Sequence, residues 1–495
     1  MTASDAASAG LQGAQRTLAI ASVLAAMVLV VLSAAVSNVA LPELSRALQV
    51  TPGASVRVIS AYQMALVMAL LPCAALGESL GYRRVFSAGV ALFTAASAAC
   101  MLAPSLGWLV AARLVQGLGG AAVMALGVAL LRFTVSSQQL GAAIGWNALT
   151  VALSSAAGPT LGALILSRAA WPWLFAINLP IGAAVLMAAR ALPQVRGSAR
   201  PLDRISVLLN AATFAALVFG MELMVKRSVL GALLLCVAAL SLFLLVRREL
   251  PKPSPLVPLD LLRARPFRTA VLASVCCFTG QTLALVALPF HLQYGFGLDA
   301  LQTGLMITPW PLCVAIMAPV AGRLSNRVST AWLCAAGGMC LALGLGALAL
   351  TPVPSDPRWL VLFLALCGAG FGLFQVPNNR TLLLAAPPTR SGAAGAMQGT
   401  ARLLGQTLGA ALMAVLFVLS TTQTAARAAL GAGALLTLLA GLVSTLRADA
   451  LTKWLRPAPW LAPRLPQGPS DAQRSPQTPA ARASRAPVSV PTRYG

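Results

Sequence analysis

The chain has 495 residues, of which 58% are hydrophobic and only 9% charged, with a formal net charge of +24. A mean hydropathy of +0.83 excludes a soluble globular protein, whose surface needs charge, and makes lipid the main solvent. The excess of positive charge does not describe a nucleic-acid surface, because the basic residues are spread over short loops and a tail rather than gathered on one folded face.

Apolar runs of roughly 18 to 25 residues, each long enough to cross about 30 Å of hydrocarbon as a helix, recur along nearly the whole chain. They fall near 17–41, 58–77, 85–103, 107–131, 141–166, 173–189, 205–224, 229–246, 270–293, 302–322, 331–351, 359–379, 395–420 and 425–446, which predicts an all-α membrane protein with about fourteen spans. The first fifteen residues lack the basic start and short apolar core of a cleaved signal, so span 1 is expected to be retained. Spans 7 and 8 sit between two basic stretches, 191–203 and 247–266, and divide the chain into six spans, two extra spans and six more. The expected organisation is a cytoplasmic N-terminal tail (1–16), a six-helix bundle (17–190), inner loops with the extra pair (191–268), a second six-helix bundle (269–446) and a disordered cytoplasmic tail (447–495) rich in Pro, Ala, Arg and Ser. With the N-terminus inside, 26 of the 35 Lys and Arg fall on inner loops and tails. That bias predicts an inner (plasma) membrane protein with both termini cytoplasmic.

A guanidinium left in hydrocarbon costs several kcal/mol, roughly 2.5 to 3.5 on insertion scales, so a charge inside a span normally lines a cavity or meets a partner. Arg113 lies about 10 Å from the nearer end of span 4 and is the leading candidate. Arg402 lies about two turns inside span 13. Glu222 is the acid within a span, although Lys226 and Arg227 follow it closely and would also draw it to the surface. The single histidine, His291, excludes a histidine-based metal cluster and is a candidate titrating group near the end of span 9. All nine cysteines fall within spans and read as packing residues. Asn38, Tyr62, Gln63, Gln116, Trp146, Asn147, Gln281, Trp310, Asn378 and Gln406 are further polar or aromatic positions within spans that could line one central path. Rings with a few amides suit an amphipathic organic ligand, and two arginines without a firmly embedded acid favour a neutral or anionic one.

Several segments together resemble the major facilitator superfamily, and specifically its fourteen-span drug/proton antiporter branch of multidrug efflux type. RLVQGLGGA (Arg113 to Ala121) resembles the R-x-x-Q-G-x-G-x-A signature, and ALGESLGYRR (Ala75 to Arg84) the G-x-x-x-D-R-x-G-R-R loop, repeated weakly as GRLSNRVST (Gly322 to Thr330). In span 5, Gly145, Ser154, Gly158, Pro159 and Gly162 match the antiporter spacing G-x8-G-x3-G-P-x2-G, with Ser154 for one glycine. SNVALP (Ser37 to Pro42), WPWLFAINLPIG (Trp171 to Gly182), GAGFGLFQVPNNR (Gly368 to Arg380) and ARLLGQTLG (Ala401 to Gly409) resemble further segments.

The resemblance implies two six-helix bundles plus two extra central helices, and an exporter of amphipathic compounds or drugs working by alternating access. Glu78, Arg83, Arg84 and Asn326 are then gating residues at helix ends, together with Gly145, Gly158, Pro159 and Gly162. No cofactor is implied beyond a proton gradient, and the partners are a small organic substrate and the lipid bilayer. A periplasmic adaptor is not deducible from the sequence. The departures are specific: Ser33 stands at the position of the branch's span 1 carboxylate, Ala35 at its threonine, and Ala74, Glu78 and Ser79 at the loop's glycine, aspartate and arginine. They leave an uncoupled or anion-selective carrier of the same fold as the alternative. A polytopic membrane transferase is the remote one, since it needs acids or histidines clustered at one membrane face and a sizeable loop domain.

Overall fold

The computed structural model describes residues 13–136, 139–194, 203–252, 259–352, 356–386 and 391–446. The expected tails and most of the basic loop between spans 6 and 7 lie outside the described residues. Among those described the chain is all-helical, with fourteen helices long and apolar enough to cross a membrane. They are α1 (Gly13–Val39), α2 (Arg57–Leu80), α3 (Tyr82–Met101), α4 (Leu106–Thr134), α5 (Leu140–Leu166), α6 (Trp173–Ala191) and α7 (Arg204–Lys226). The series continues with α8 (Ser228–Glu249), α9 (Arg265–Gly295), α10 (Ala300–Leu324), α11 (Thr330–Leu350), α12 (Pro357–Leu384), α13 (Ser391–Leu419) and α14 (Thr422–Thr445).

Helix starts follow capping chemistry. Ser105, Asp203 and Asp356 accept backbone N–H bonds at the starts of α4, α7 and α12, and Asp299 with Gln302 closes a reciprocal capping box before α10. Two helices are irregular. Beyond Pro289, α9 ends in a π turn at His291–Gly295, and α10 breaks at Thr308 ahead of Pro309.

The two halves repeat one packing scheme. In the first, α1 packs on α4, α5 and α6, while α4 also receives α2 and α3, and α3 meets α6. In the second, α9 packs on α12, α13 and α14, while α12 receives α10 and α11, and α11 meets α14. The same small residues make this possible, because between apolar helices in lipid close backbone approach supplies the attraction. A Cβ added at Gly89 or Gly119 would lie 3.0 and 2.6 Å from the other's carbonyl across α3 and α4. Gly337 and Gly370 do the same across α11 and α12, at 2.7 and 2.8 Å. Each half has its own apolar core. The halves meet along α2 with α13 and along α5 with α10, while α7 and α8 pair as a hairpin whose α7 touches both α2 and α13.

Loop contacts mark the two ends of the molecule. Arg16 donates to Gln139, Gln15 to the Ala191 carbonyl and Arg83 to the Leu192 carbonyl, which gathers the starts of α1, α3 and α5 with the end of α6. This is the basic end. The connection from α1 to α2, with Glu43 and Arg46, lies at the far end.

Candidate functional site

Arg113 is fully buried inside the first bundle and acts as a hub for four helices. Its Nε donates to the Val58 carbonyl of the α1–α2 side at 3.3 Å, and its Nη1 donates to Ser33 Oγ of α1 at 3.2 Å and to Gln116 Oε1 at 2.5 Å. Gln116 in turn donates to Ser97 of α3 at 2.7 Å, and Ser97 to the Phe93 carbonyl. The guanidinium carbon lies 4.1 Å from the Tyr62 ring centre and 5.7 Å from that of Phe175. Tyr62 is fixed by its hydroxyl, which donates to the Val30 carbonyl at 3.1 Å. Neutral dipoles and ring faces thus spread the charge, and Nη2 remains buried without a hydrogen-bond partner.

Other orphaned atoms accompany it. Asn38 Oδ1, Gln63 Oε1, Asn147 Oδ1, Trp310 Nε1 and Arg402 Nε are also buried without partners. They stand on α1, α2, α5, α10 and α13, which include all four helices that form the contacts between the halves. Buried polar atoms are nearly always satisfied, so five such atoms on these helices, besides Arg113, mark a path that takes polar guests. Gln406 lies one turn beyond Arg402 and is half-buried, whereas Trp146 is exposed. Asn378 belongs to a satisfied set instead: its Nδ2 donates to the Ala270 carbonyl and to Ser274 Oγ at 2.7 Å. His291 is buried in the π turn, edge-on to Phe296, and Gln281 is half-buried on α9.

At the far end the halves are in contact. Leu41, Val56 and Ile59 share an apolar cluster with Leu283, Val286, Phe290, Ala410, Met413 and Ala414. Arg46 Nη2 donates to Gln293 Oε1 at 3.0 Å and lies 5.6 Å from the Tyr294 ring centre. The Thr160 and Thr308 hydroxyls meet at 2.5 Å between α5 and α10. Beside them Gly304 sits so close to α5 that an added Cβ would overlap the Ala163 methyl and come within 2.6 Å of the Pro159 carbonyl. Glu222 of α7 pairs with Arg57 of α2 at 3.3 Å.

The gating candidates divide between these regions. Glu78 and Arg84 are exposed at the basic end, while Asn326 accepts from Arg380 at 2.8 Å within the second half. In α5, Gly145 lies near the basic end, Gly162 packs on Val36, and a Cβ at Gly158 would overlap the Ala35 methyl of α1, so both packed glycines face their own bundle. Glycine's spacing in the sequence pointed to Gly158, but the glycine between bundles is Gly304, which no motif marks. Arg46, Gln293, Arg57, Thr160 and Thr308 were equally silent. Only Arg57 carried a signal, as a charge at the very start of a span.

A family model described as Major Facilitator Superfamily matches residues 23–410 and 270–461. The chain is 43% identical to the uncharacterized transporter YebQ of Escherichia coli (strain K12), over 88% of this chain and 97% of that one. It is 32% identical to the multidrug resistance protein Stp of Mycobacterium tuberculosis (strain CDC 1551 / Oshkosh), over 78% of this chain and 73% of that one. Among solved structures, a peptide transporter POT in complex with sulfate matches with a TM-score of 0.67 at 16% identity, over 90% of this chain and 98% of that one.

Proposed function

The chain belongs to the Major Facilitator Superfamily and is a multi-pass membrane transporter, and from that premise we propose that it exports amphipathic organic compounds by alternating access. The single observation that carries this reading is the set of orphaned buried polar atoms on α1, α2, α5, α10 and α13, drawn from both halves. A guest that satisfies groups on the two bundles in turn supplies the differential interaction that alternation needs. The contacts at the far end represent one closed gate, and rocking of the bundles about their seams would open it and close the basic end. Basic loops are retained inside, so the basic end is the cytoplasmic one, both termini lie there, and the membrane is the inner membrane of the cell. The similarity to a multidrug resistance protein supports substrates of mixed shape.

A second reading has its own support. Ser33 places a neutral hydroxyl against Arg113, and both Arg113 and Arg402 keep an unpartnered guanidinium nitrogen. An uncoupled carrier that prefers anions follows from these. Purified protein in liposomes, assayed with cationic, neutral and anionic dyes with and without a pH gradient, decides among them. Dye movement that responds to the gradient supports coupled export, and gradient-independent movement confined to anions supports the second reading. No movement of any dye overturns both.

A further inference from the structure

The hairpin of α7 and α8 is the part of the molecule that the scheme of two repeated halves leaves unassigned, and its polar contacts choose a side. Asn210 of α7 is buried and donates its Nδ2 to the Met68 carbonyl of α2 at 2.8 Å. Twelve residues later, about 18 Å along the helix, Glu222 meets Arg57, eleven residues back along α2. The two ties are therefore in antiparallel register and span most of the bilayer. Between them Phe214 is buried in the apolar core of the first half, with Leu66 and Leu70 of α2. At the basic end α8 is bound to α7 by a cluster in which Arg248 and Lys252 pair with Asp203, and Ser206 and Lys252 contact the buried Glu249.

Toward the second half the surface is different. Leu403 of α13 is that half's buried member of the Phe214 cluster, and the far end holds a cavity of about 190 Å³ between Arg57, Glu222 and the apolar Ala414, Phe417 and Val418. Paired charges and a buried amide bond are costly to separate in low dielectric, whereas an apolar seam in lipid can slide with little change in free energy.

We infer that α7 and α8 travel with the first bundle as one rigid body, pinned to α2 by Asn210–Met68 and Glu222–Arg57, and that the surface between α7 and α13 slides during the transport cycle. The hairpin is then a fixed shutter across the α2–α13 seam, and the α5–α10 seam stays uncovered. This rests on the alternating-access reading.

The test joins one position to either neighbour. Phe214→Cys is combined with Leu66→Cys, or with Leu403→Cys, and each pair is bridged by a short bifunctional thiol reagent in nanodiscs and liposomes. The unmodified chain, whose nine cysteines are free thiols, treated alike supplies the baseline. Dye transport and hydrogen–deuterium exchange of the segment 300–308 are read together. Bridging α7 to α2 is expected to leave transport within twofold and the exchange unchanged, and bridging α7 to α13 to cut transport at least tenfold and slow the exchange. The reverse pattern, or equal effects of the two bridges, overturns the inference. If the unmodified chain carries no dye, the carrier reading fails while the exchange data still decide which bundle holds the hairpin. Should the Leu66→Cys pair not fold, Met68→Cys with Asn210→Cys joins the same two helices.

Discussion

At Arg113 a full charge is held by uncharged groups, and this sets what substitution should do. Each hydrogen bond to a charged group contributes about 1.5 to 3 kcal/mol, and the Tyr62 face about 2 kcal/mol when desolvated, so the hub offsets its burial only because every contact is present. Arg113→Lys keeps the charge but loses the planar fork that reaches Ser33, Gln116 and Val58 together, and is expected to retain part of the transport; Arg113→Ala is expected to abolish it. Ser33→Asp is the sharper experiment, because the new carboxylate would stand where a hydroxyl now lies 3.2 Å from Nη1. Its expected result is transport that varies with pH between 6 and 8 where the parent is flat, measured as dye flux in liposomes clamped at each pH. A flat profile in Ser33→Asp would place any proton coupling away from α1. The sequence revealed Arg113 through the cost of a charge inside a span. It was mute on the partners, since Ser33 and Val58 reach the guanidinium only through the register of three packed helices.

Among the helices, two glycines separate packing from motion. A side chain at Gly158 would collide with Ala35 of its own bundle, and one at Gly304 with Ala163 and Pro159 of the opposite bundle. Overpacking costs about 1 to 3 kcal/mol, and the place where it is applied decides the phenotype. Gly158→Leu is expected to lower folded yield, with recovery by Ala35→Gly, whereas Gly304→Leu should keep its yield and lose far-end closure, seen as faster labelling of a cysteine at Thr160. The cap of α7 offers a pH test at this scale. Arg248, and then Lys252, hold the Asp203 carboxyl well below the usual carboxylate range. A depressed value stabilises the fold above the ordinary range and is lost only as pH falls through the shifted one, so the clasp is expected to survive intact from pH 7 to 5. Asp203→Ala should cost about 1 kcal/mol through the lost cap alone, visible as a lower melting temperature that stays equally lowered at both pH values. The spans themselves were legible because hydropathy reports length and composition directly. Their pairings were not: Glu222 stands beside Lys226 and Arg227 in the sequence, yet its carboxylate meets Arg57, on a helix that begins well over a hundred residues earlier.

For the molecule as a whole, the contact scheme α1 to α6 reappears as α9 to α14, a symmetry that the sequence carried only as two weakly similar loops. Helix packing in lipid is satisfied by any small residues at the crossing points, so the repeat survives in glycine pairs such as Gly89–Gly119 and Gly337–Gly370 after most side-chain identity is gone. Topology is subject to a different constraint. Basic loops resist translocation, and the far end carries few Lys and Arg, so the charge bias assigns each end to one side of the membrane. Arg84, exposed at the start of α3, and Leu102, exposed at its other end, test this with one helix. With whole cells and a membrane-impermeant maleimide, Leu102→Cys should label and Arg84→Cys should label only after permeabilisation. Labelling of Arg84→Cys in intact cells would invert the molecule, and with it the direction of export, because the gate now closed at the far end would then face the cytoplasm.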